Sequence, residues 1–528
     1  MSIAAPPVRQ TLDVPAPAVP RLRAGQYGNR LVIIVGAVVA VAATLRSANL
    51  HALVIYGDAR AHLDVARHVT DGLRTGLTQL GSIWPPFPHL LLVPLVAITP
   101  LWHNGAAGAL VGGLAFVYAC ARLYSLVEEL TGSRVGAWIG VAVFASNFNV
   151  LYVQSTALTE PVLLACLIGA TYHLARWMRT QSSWDLGWAG VMMFLATLSR
   201  YEGWALLATA LVVVPVWSYR SVRRRSVAEA NTVLFASISL YGIVLWLLYN
   251  LIIFGSPLYF LDSSYSAQAI NGGQAQYGLL GTKGSLHQSL LTYGWDVVDI
   301  VGPIILVATG AALLVLFLVR SSERRRTLTV LLLLLAPPAF EVVSLFAGQT
   351  TIRVPQLAPY QMWNVRYGLM AVPFCAVAIG VAAGRWRPRW TAPAAAGVVT
   401  AAVVAMSIGT PLTLADGRTG TSSATAGHPE IIADYLHHNY RSGEILADDS
   451  AAEPLMFGSD LDLKQFVTVG FHPYWEHALA APARHVAWVL VFPHDAVWKD
   501  MHAHPDRFAD FKLVMSQGQT HLYKRSNA

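Results

Sequence analysis

Residues 56–94 read YGDARAHLDVARHVTDGLRTGLTQLGSIWPPFPHLLLVP, and the rest of the chain is organised around them. An apolar run near 31–50 ends just before this stretch, which puts Asp58 at the edge of a membrane span. From 63 to 77 the apolar residues Leu63, Val65, Ala66, Val69, Leu73 and Leu77 recur at close to helical spacing. His62, Asp64, Arg67, His68, Asp71 and Arg74 interleave with them. That pattern predicts an amphipathic helix lying in the interface rather than crossing it. Pro85, Pro86 and Pro88 then exclude a helix interior and turn the chain back. The run 89–102 is short and proline-broken, so 51–104 is read as one external loop. The stretch predicts a reaction site held at one membrane face.

Composition supports a membrane setting. The chain is 55% hydrophobic and only 12% charged, with a mean hydropathy of +0.49, whereas soluble domains carry about 25% charged residues. This predicts an all-α polytopic membrane protein. The net charge of +7 follows from arginines concentrated on one side, so no nucleic-acid partner is expected. Cys120, Cys166 and Cys375 all fall in apolar spans, which leaves no disulfide framework or zinc spacing. Residues 1–29 are rich in Pro and Ala and read as a disordered cytoplasmic tail. The first apolar run, from Leu31, reads as an uncleaved span.

Apolar runs of spanning length lie near 31–50, 105–127, 134–153, 158–178, 185–200, 203–219, 232–254, 297–319, 328–347, 367–384 and 391–410. These predict about 11 transmembrane helices within a domain covering 30–410. The 200–203 turn between two of them must be tight. Arg122 and Arg134, Arg176 and Arg179, Arg220 with Arg223, Arg224 and Arg225, Arg320 with Arg324, Arg325 and Arg326, and Arg385, Arg387 and Arg389 share one side. Arg9, Arg21, Arg23 and Arg30 of the N-terminal tail join them, so that side is cytoplasmic. The expected location is the inner (plasma) membrane, multi-pass, with the N-terminus cytoplasmic. Residues 411–528 change character, holding 14 of the 29 acids and 10 of the 17 histidines. Strand-like runs at 444–447, 485–492 and 511–515, and a helical stretch at 429–440, predict a small extracytoplasmic α/β domain.

Under this topology Asp58, His62, Glu160, Arg200, Glu202, Arg353 and Arg366 all lie at external span ends. Ionisable residues gathered at membrane depth point to a functional cavity. Asp58 is either a helix cap or a base that takes a proton from an attacking hydroxyl. Glu160 either sits favourably in a first helical turn or binds the acceptor, or serves a divalent ion as ligand. Arg200 either pairs locally with Glu202, anchored by Tyr201 and Trp204, or clamps a phosphate while Glu202 holds it. Arg366, in Trp363-Asn364-Val365-Arg366-Tyr367, and Arg353 either snorkel or bind the same phosphate. Glu341, inside a span, is a buried arginine partner or part of the cavity. His472, His477, His485, His494, His502 and His504 match no metal-ligand spacing and read as surface residues. No P-loop, dinucleotide glycine signature or Ser–His–Asp motif is present.

These residues resemble those of the GT-C superfamily of integral-membrane glycosyltransferases, especially the protein O-mannosyltransferase and aminoarabinose transferase branch. Gly57-Asp58, His62-Leu63 and Ala66-Arg67 are similar to its first-loop motif, and Trp84-Pro85-Pro86 to its proline-led return. Thr159-Glu160-Pro161, Arg200-Tyr201-Glu202 and Asn364-Val365-Arg366-Tyr367 follow in the family's order, so the resemblance spans about 30–385. It implies inverting transfer of a sugar from a polyprenyl-phosphate donor to a lipid, glycan or protein acceptor hydroxyl outside the cytoplasm. Asp58 would be the base, with Arg200, Arg366 and Arg353 holding the donor phosphate. His62, Trp84, His89, Glu160, Tyr201, Glu202, Trp363 and Tyr367 would line the substrate site. Ala59 stands where the family often has a second acid, so a metal at that position is in doubt and Glu160 is the substitute ligand. No cofactor is called for outright; a divalent cation is the one candidate. The rival readings are a transporter or flippase of a lipid-linked or anionic substrate, or a non-catalytic sugar-lipid-binding protein.

Overall fold

The computed structural model describes residues 25–526, apart from 264–265, 267–268, 270, 272–279, 320, 387–390, 408, 425–428, 470 and 472. Most of the expected tail (1–24, with Arg9, Arg21 and Arg23), as well as Arg320, Arg387, Arg389 and His472, lies outside these residues. The last part of that stretch is helical, because the first helix begins at Gly25.

Among the described residues, seven helices are long and apolar enough to cross a bilayer. They are Gly28–Asn49, Ala106–Thr131, Glu202–Val222, Arg225–Phe254, Arg324–Ala347, Val365–Arg385 and Pro393–Gly420. Their outward faces expose large apolar side chains such as Leu114, Val212, Ile252 and Val343, as a lipid-facing surface requires. Glu160–Thr180 is buried along nearly its whole length and forms the centre of the bundle. The expected run 134–153 is broken at Ser146 and Asn147, where the Asn147 side chain caps a new helix, Phe148–Val153. Close helix contact relies on small residues: a Cβ on Gly136 would stand 2.5 Å from the Gly380 carbonyl.

One expected straight span is corrected. The run 297–319 is the junction of two helices, Leu286–Val301 and Pro303–Leu318, which meet at 103°. Gly302 adopts a left-handed φ of 88°, open to glycine, and Pro303 has no N–H to continue the first helix.

A second correction concerns the opening stretch. The helix runs from Gly57 to His68 and does not lie half-solvated in an interface, since Ala59, Arg60, His62, Leu63, Asp64, Ala66 and Arg67 are all buried. Its polar side chains have protein partners instead of water. Trp102 Nε1 donates to Asp64 (2.8 Å), and Arg67 reaches Asp71 (3.0 Å) and the Val96 carbonyl (2.6 Å). Arg60 pairs with Glu453, and Asp71 accepts from the Leu463 amide at 3.2 Å. The C-terminal segment therefore covers the face that the sequence pattern left to water.

That segment contains a five-stranded sheet: β1 (Ile445–Leu446), β2 (Phe466–Val467), β3 (Trp488–Val491), β4 (Phe511–Gln517) and β5 (Thr520–Arg525), in the order β2-β1-β3-β5-β4. β1 runs parallel to β2 and β3, while β5 is antiparallel to β3 and β4. β1, β3 and β4 fall at the expected runs; β2 and β5 are additions. The helix Pro429–Asn439 matches the expected 429–440.

Candidate active site

Five segments bring their charged ends together at one end of the bundle. Asp58 occupies the first turn of Gly57–His68, and Glu160 the first turn of Glu160–Thr180. Arg200 lies in the turn between Ser183–Thr197 and Glu202–Val222. That turn is as tight as expected: a Cβ on Gly203 would sit 2.4 Å from the Ala196 carbonyl oxygen. Arg366 lies in the 3₁₀ segment Val365–Ala371, entered through Asn364 at φ 57°, a left-handed position that asparagine tolerates.

The ion pairs form one chain. Arg366 contacts Asp58 closely through Nη2 and pairs through Nε with Glu160 Oε1 at 2.9 Å. The same Glu160 oxygen receives Arg200 Nη1 at 2.9 Å, and Arg200 reaches Glu202 at 2.7 Å. Arg200 also donates to Thr159 Oγ1 at 3.1 Å. Glu160 is fully buried, and Arg366 is 5% exposed, whereas Asp58 keeps 37% of its side chain accessible. Asp58 is thus the open end of an otherwise enclosed network. Buried charges of this kind persist only when paired. The Arg366 Nη1 nitrogen nonetheless has no hydrogen-bond partner, and neither does Glu160 Oε2.

Aromatic rings hold the guanidinium groups. Tyr56 lies 4.7 Å from the Arg366 guanidinium carbon, and Tyr367 lies 5.1 Å from that of Arg200. The Tyr56 hydroxyl donates to Asp416 at 2.6 Å, and burial pushes it well above its ordinary pKa, so it remains a donor. Asp416 also accepts from the Val365 amide at 3.3 Å, which ties the turn carrying Arg366 to the helix Leu412–Ala424.

The other expected residues divide into two groups. His62, Trp84 and His89 pack together, with His62 Nδ1 2.9 Å from His89 Nε2 and the Trp84 ring edge-on to His62 at 4.4 Å. Tyr201 donates to the Ile83 carbonyl at 2.8 Å and stacks on Phe260, so its hydroxyl braces the first loop. Arg353 and Trp363 stand apart from the ion-pair chain: they pair backbone to backbone, and Arg353 donates to Gln361 at 3.2 Å. Glu341 is fully buried and faces Glu202 and Arg200. Two guanidinium groups already share one Glu160 oxygen, an unfavourable neighbourhood for a dication, and no group of three metal-binding side chains occurs among the described residues.

Sequence reasoning missed Tyr56 and Asp416. Tyr56 adjoins Gly57-Asp58, and an aromatic next to a candidate acid is a usable signal. Asp416, 360 residues away, carries none.

The family model described as dolichyl-phosphate-mannose-protein mannosyltransferase matches residues 85–249. This region contains His89, Glu160, Arg200, Tyr201 and Glu202 and leaves Asp58 and Arg366 outside. No curated protein sequence matches the chain. Among solved structures, ArnT from Cupriavidus metallidurans bound to undecaprenyl phosphate is similar, with a TM-score of 0.57 and 13% identity over 92% of this chain and 97% of that one. The apo form of the same protein gives 0.52 and 14% over 95% and 98%. At such identity the likeness is one of fold, and it runs almost end to end. The fold is that of the GT-C membrane glycosyltransferases.

Proposed function

We propose that this protein transfers a sugar from a polyprenyl-phosphate donor to an acceptor hydroxyl at the extracytoplasmic face of the inner membrane, with inversion. One observation carries the reading: Arg366 bridges Asp58 and Glu160 while its Nη1 stays buried without a partner. A phosphate oxygen supplies the acceptor that such a buried cationic N–H lacks. The family model and the fold of a protein solved with undecaprenyl phosphate support the same donor class.

When the donor phosphate takes up Arg366, Asp58 is released from its ion pair and its carboxylate turns to the acceptor hydroxyl. The acceptor oxygen attacks the anomeric carbon, its proton passes to Asp58, and the bond from that carbon to the phosphate oxygen breaks. The leaving polyprenyl phosphate gains negative charge, which Arg366 and Arg200 stabilise. A single displacement inverts the anomeric centre. The acceptor is a lipid, glycan or protein hydroxyl, and the transferred group a hexose or pentose.

The test uses purified protein in lipid with labelled polyprenyl-phosphate sugars, nucleotide sugars and a membrane extract as acceptor, beside Asp58→Asn. Transfer from the lipid-linked donor alone, lost in the variant, is expected. Transfer from a nucleotide sugar, or activity retained by Asp58→Asn, overturns the donor or the base respectively.

A further inference from the structure

His62 and His89 form a buried imidazole pair that the chemistry above does not use. His62 follows Asp58 by one helical turn on the same face and lies within electrostatic reach of Arg366 and Arg200. His89 is fully buried and His62 is 2% exposed. Burial lowers the pKa of both, to about 4 for His89 and well below the ordinary value for His62. Both rings are therefore neutral at pH 7, and each carries a single N–H.

The surroundings decide where those protons sit. His89 leans one turn back on the Pro85 carbonyl, in a contact too loose to count as a full hydrogen bond. Its Nε2 faces His62, so the nitrogen turned to Pro85 is Nδ1, and Nδ1 carries the proton. His89 Nε2 is then a lone pair, and His62 Nδ1 must donate to it. This leaves a lone pair on His62 Nε2, which has no hydrogen-bond partner among the described residues. A lone pair repels phosphate oxygens and attracts hydroxyl or amine hydrogens. With Arg366 and Arg200 on the phosphate, the nearest such group belongs to the sugar attached to it.

We infer that His62 Nε2 accepts a hydrogen bond from a hydroxyl or amine of the donor sugar, making His62 a specificity-determining residue oriented by His89. The inference rests on the polyprenyl-phosphate donor reading.

The test measures binding of the full chain in lipid nanodiscs to undecaprenyl phosphate and to undecaprenyl-phosphate mannose, glucose, galactose and arabinose. His62→Asn keeps an N–H near the Nδ1 position for His89 and removes Nε2; His62→Gln places an amide oxygen near Nε2. Wild type is expected to bind at least one sugar-bearing lipid about three- to tenfold tighter than undecaprenyl phosphate, the range of one hydrogen bond. His62→Asn is expected to erase that preference with undecaprenyl phosphate binding unchanged within about twofold, and His62→Gln to recover part of it. A preference that survives His62→Asn, an equal loss for undecaprenyl phosphate, no recovery in His62→Gln, or no sugar preference in wild type overturns the inference. Failure of wild type to bind any of the lipids instead defeats the donor reading, and this inference falls with it.

Discussion

Arg60, two residues after Asp58, forms a largely buried ion pair with Glu453 of the C-terminal segment. It also donates to the Val54 carbonyl at 2.8 Å, so one guanidinium joins the helix start, the preceding loop and the C-terminal segment. Breaking a buried pair from one side costs roughly 3–5 kcal/mol, because the remaining charge is stranded. Arg60→Ala is expected to speed hydrogen exchange across 57–68 and lower the turnover of donor about tenfold or more. Arg60→Glu combined with Glu453→Arg is expected to restore part of both, whereas each single swap is worse than alanine. Exchange mass spectrometry beside transfer rates checks this.

Asp58→Asn is expected to lower transfer by about 10²–10⁴, the usual contribution of a general base. Undecaprenyl phosphate is expected to bind at least as tightly, because Arg366 loses a competing carboxylate. Direct lipid-binding titration separates the two effects. Weaker binding would show that Asp58 holds the lipid rather than the acceptor proton.

Arg366→Lys retains charge but not the fork that meets Asp58 and Glu160 together. Undecaprenyl phosphate binding is expected to weaken roughly tenfold, the worth of a charge-assisted hydrogen bond. Arg353→Lys, at a residue outside the ion-pair chain, is expected to change binding by less than about twofold.

A pH signature belongs to His89. Its pKa in the folded protein, about 4, lies below that of the unfolded chain, so the unfolded state binds more protons across the interval. Stability is therefore full above pH 6.5 and falls as pH drops toward 4. The loss for a fully buried imidazole is at most on the order of 3 kcal/mol. His89→Gln is expected to flatten that part of the thermal-stability curve, read as the difference between wild type and variant from pH 7 to 5.

Gly203→Ala introduces a methyl group 2.4 Å from a carbonyl oxygen. The turn holding Arg200 must open to admit it. A cost of about 1–3 kcal/mol is expected as a lower melting temperature, together with weaker undecaprenyl phosphate binding.

Local patterns carried much of this architecture and one half of the site. Seven of the eleven apolar runs fall on helices long and apolar enough to span, and arginine and glutamate at the ends of runs marked Glu160, Arg200 and Arg366. Gly302-Pro303 was a legible breaker inside the run 297–319, and a simple hydropathy reading passed over it. β2 is too short at two residues to rise above the surrounding sequence. The alternation in Gly57–His68 was real, but its polar face meets Trp102, Glu453 and Leu463 instead of water. Periodicity reports that a face is polar, not what satisfies it. Contacts such as Tyr56 to Asp416 and Arg60 to Glu453 join residues 360 and 393 apart, a separation at which no local pattern survives.

Those same separations set an order in time. A ribosome finishes Tyr56, Asp58 and Arg60 hundreds of residues before it reaches Asp416 and Glu453. The nascent chain can complete its first spans and still leave the Asp58 helix without its outer partners. A chain cut after residue 424 would keep all seven long apolar helices and Asp416 but lose Glu453 and Leu463, two of the partners of this helix and its flank. Tyr56 and Arg60, which flank Asp58, thus gain their partners Asp416 and Glu453 only after every residue of the ion-pair chain has been made.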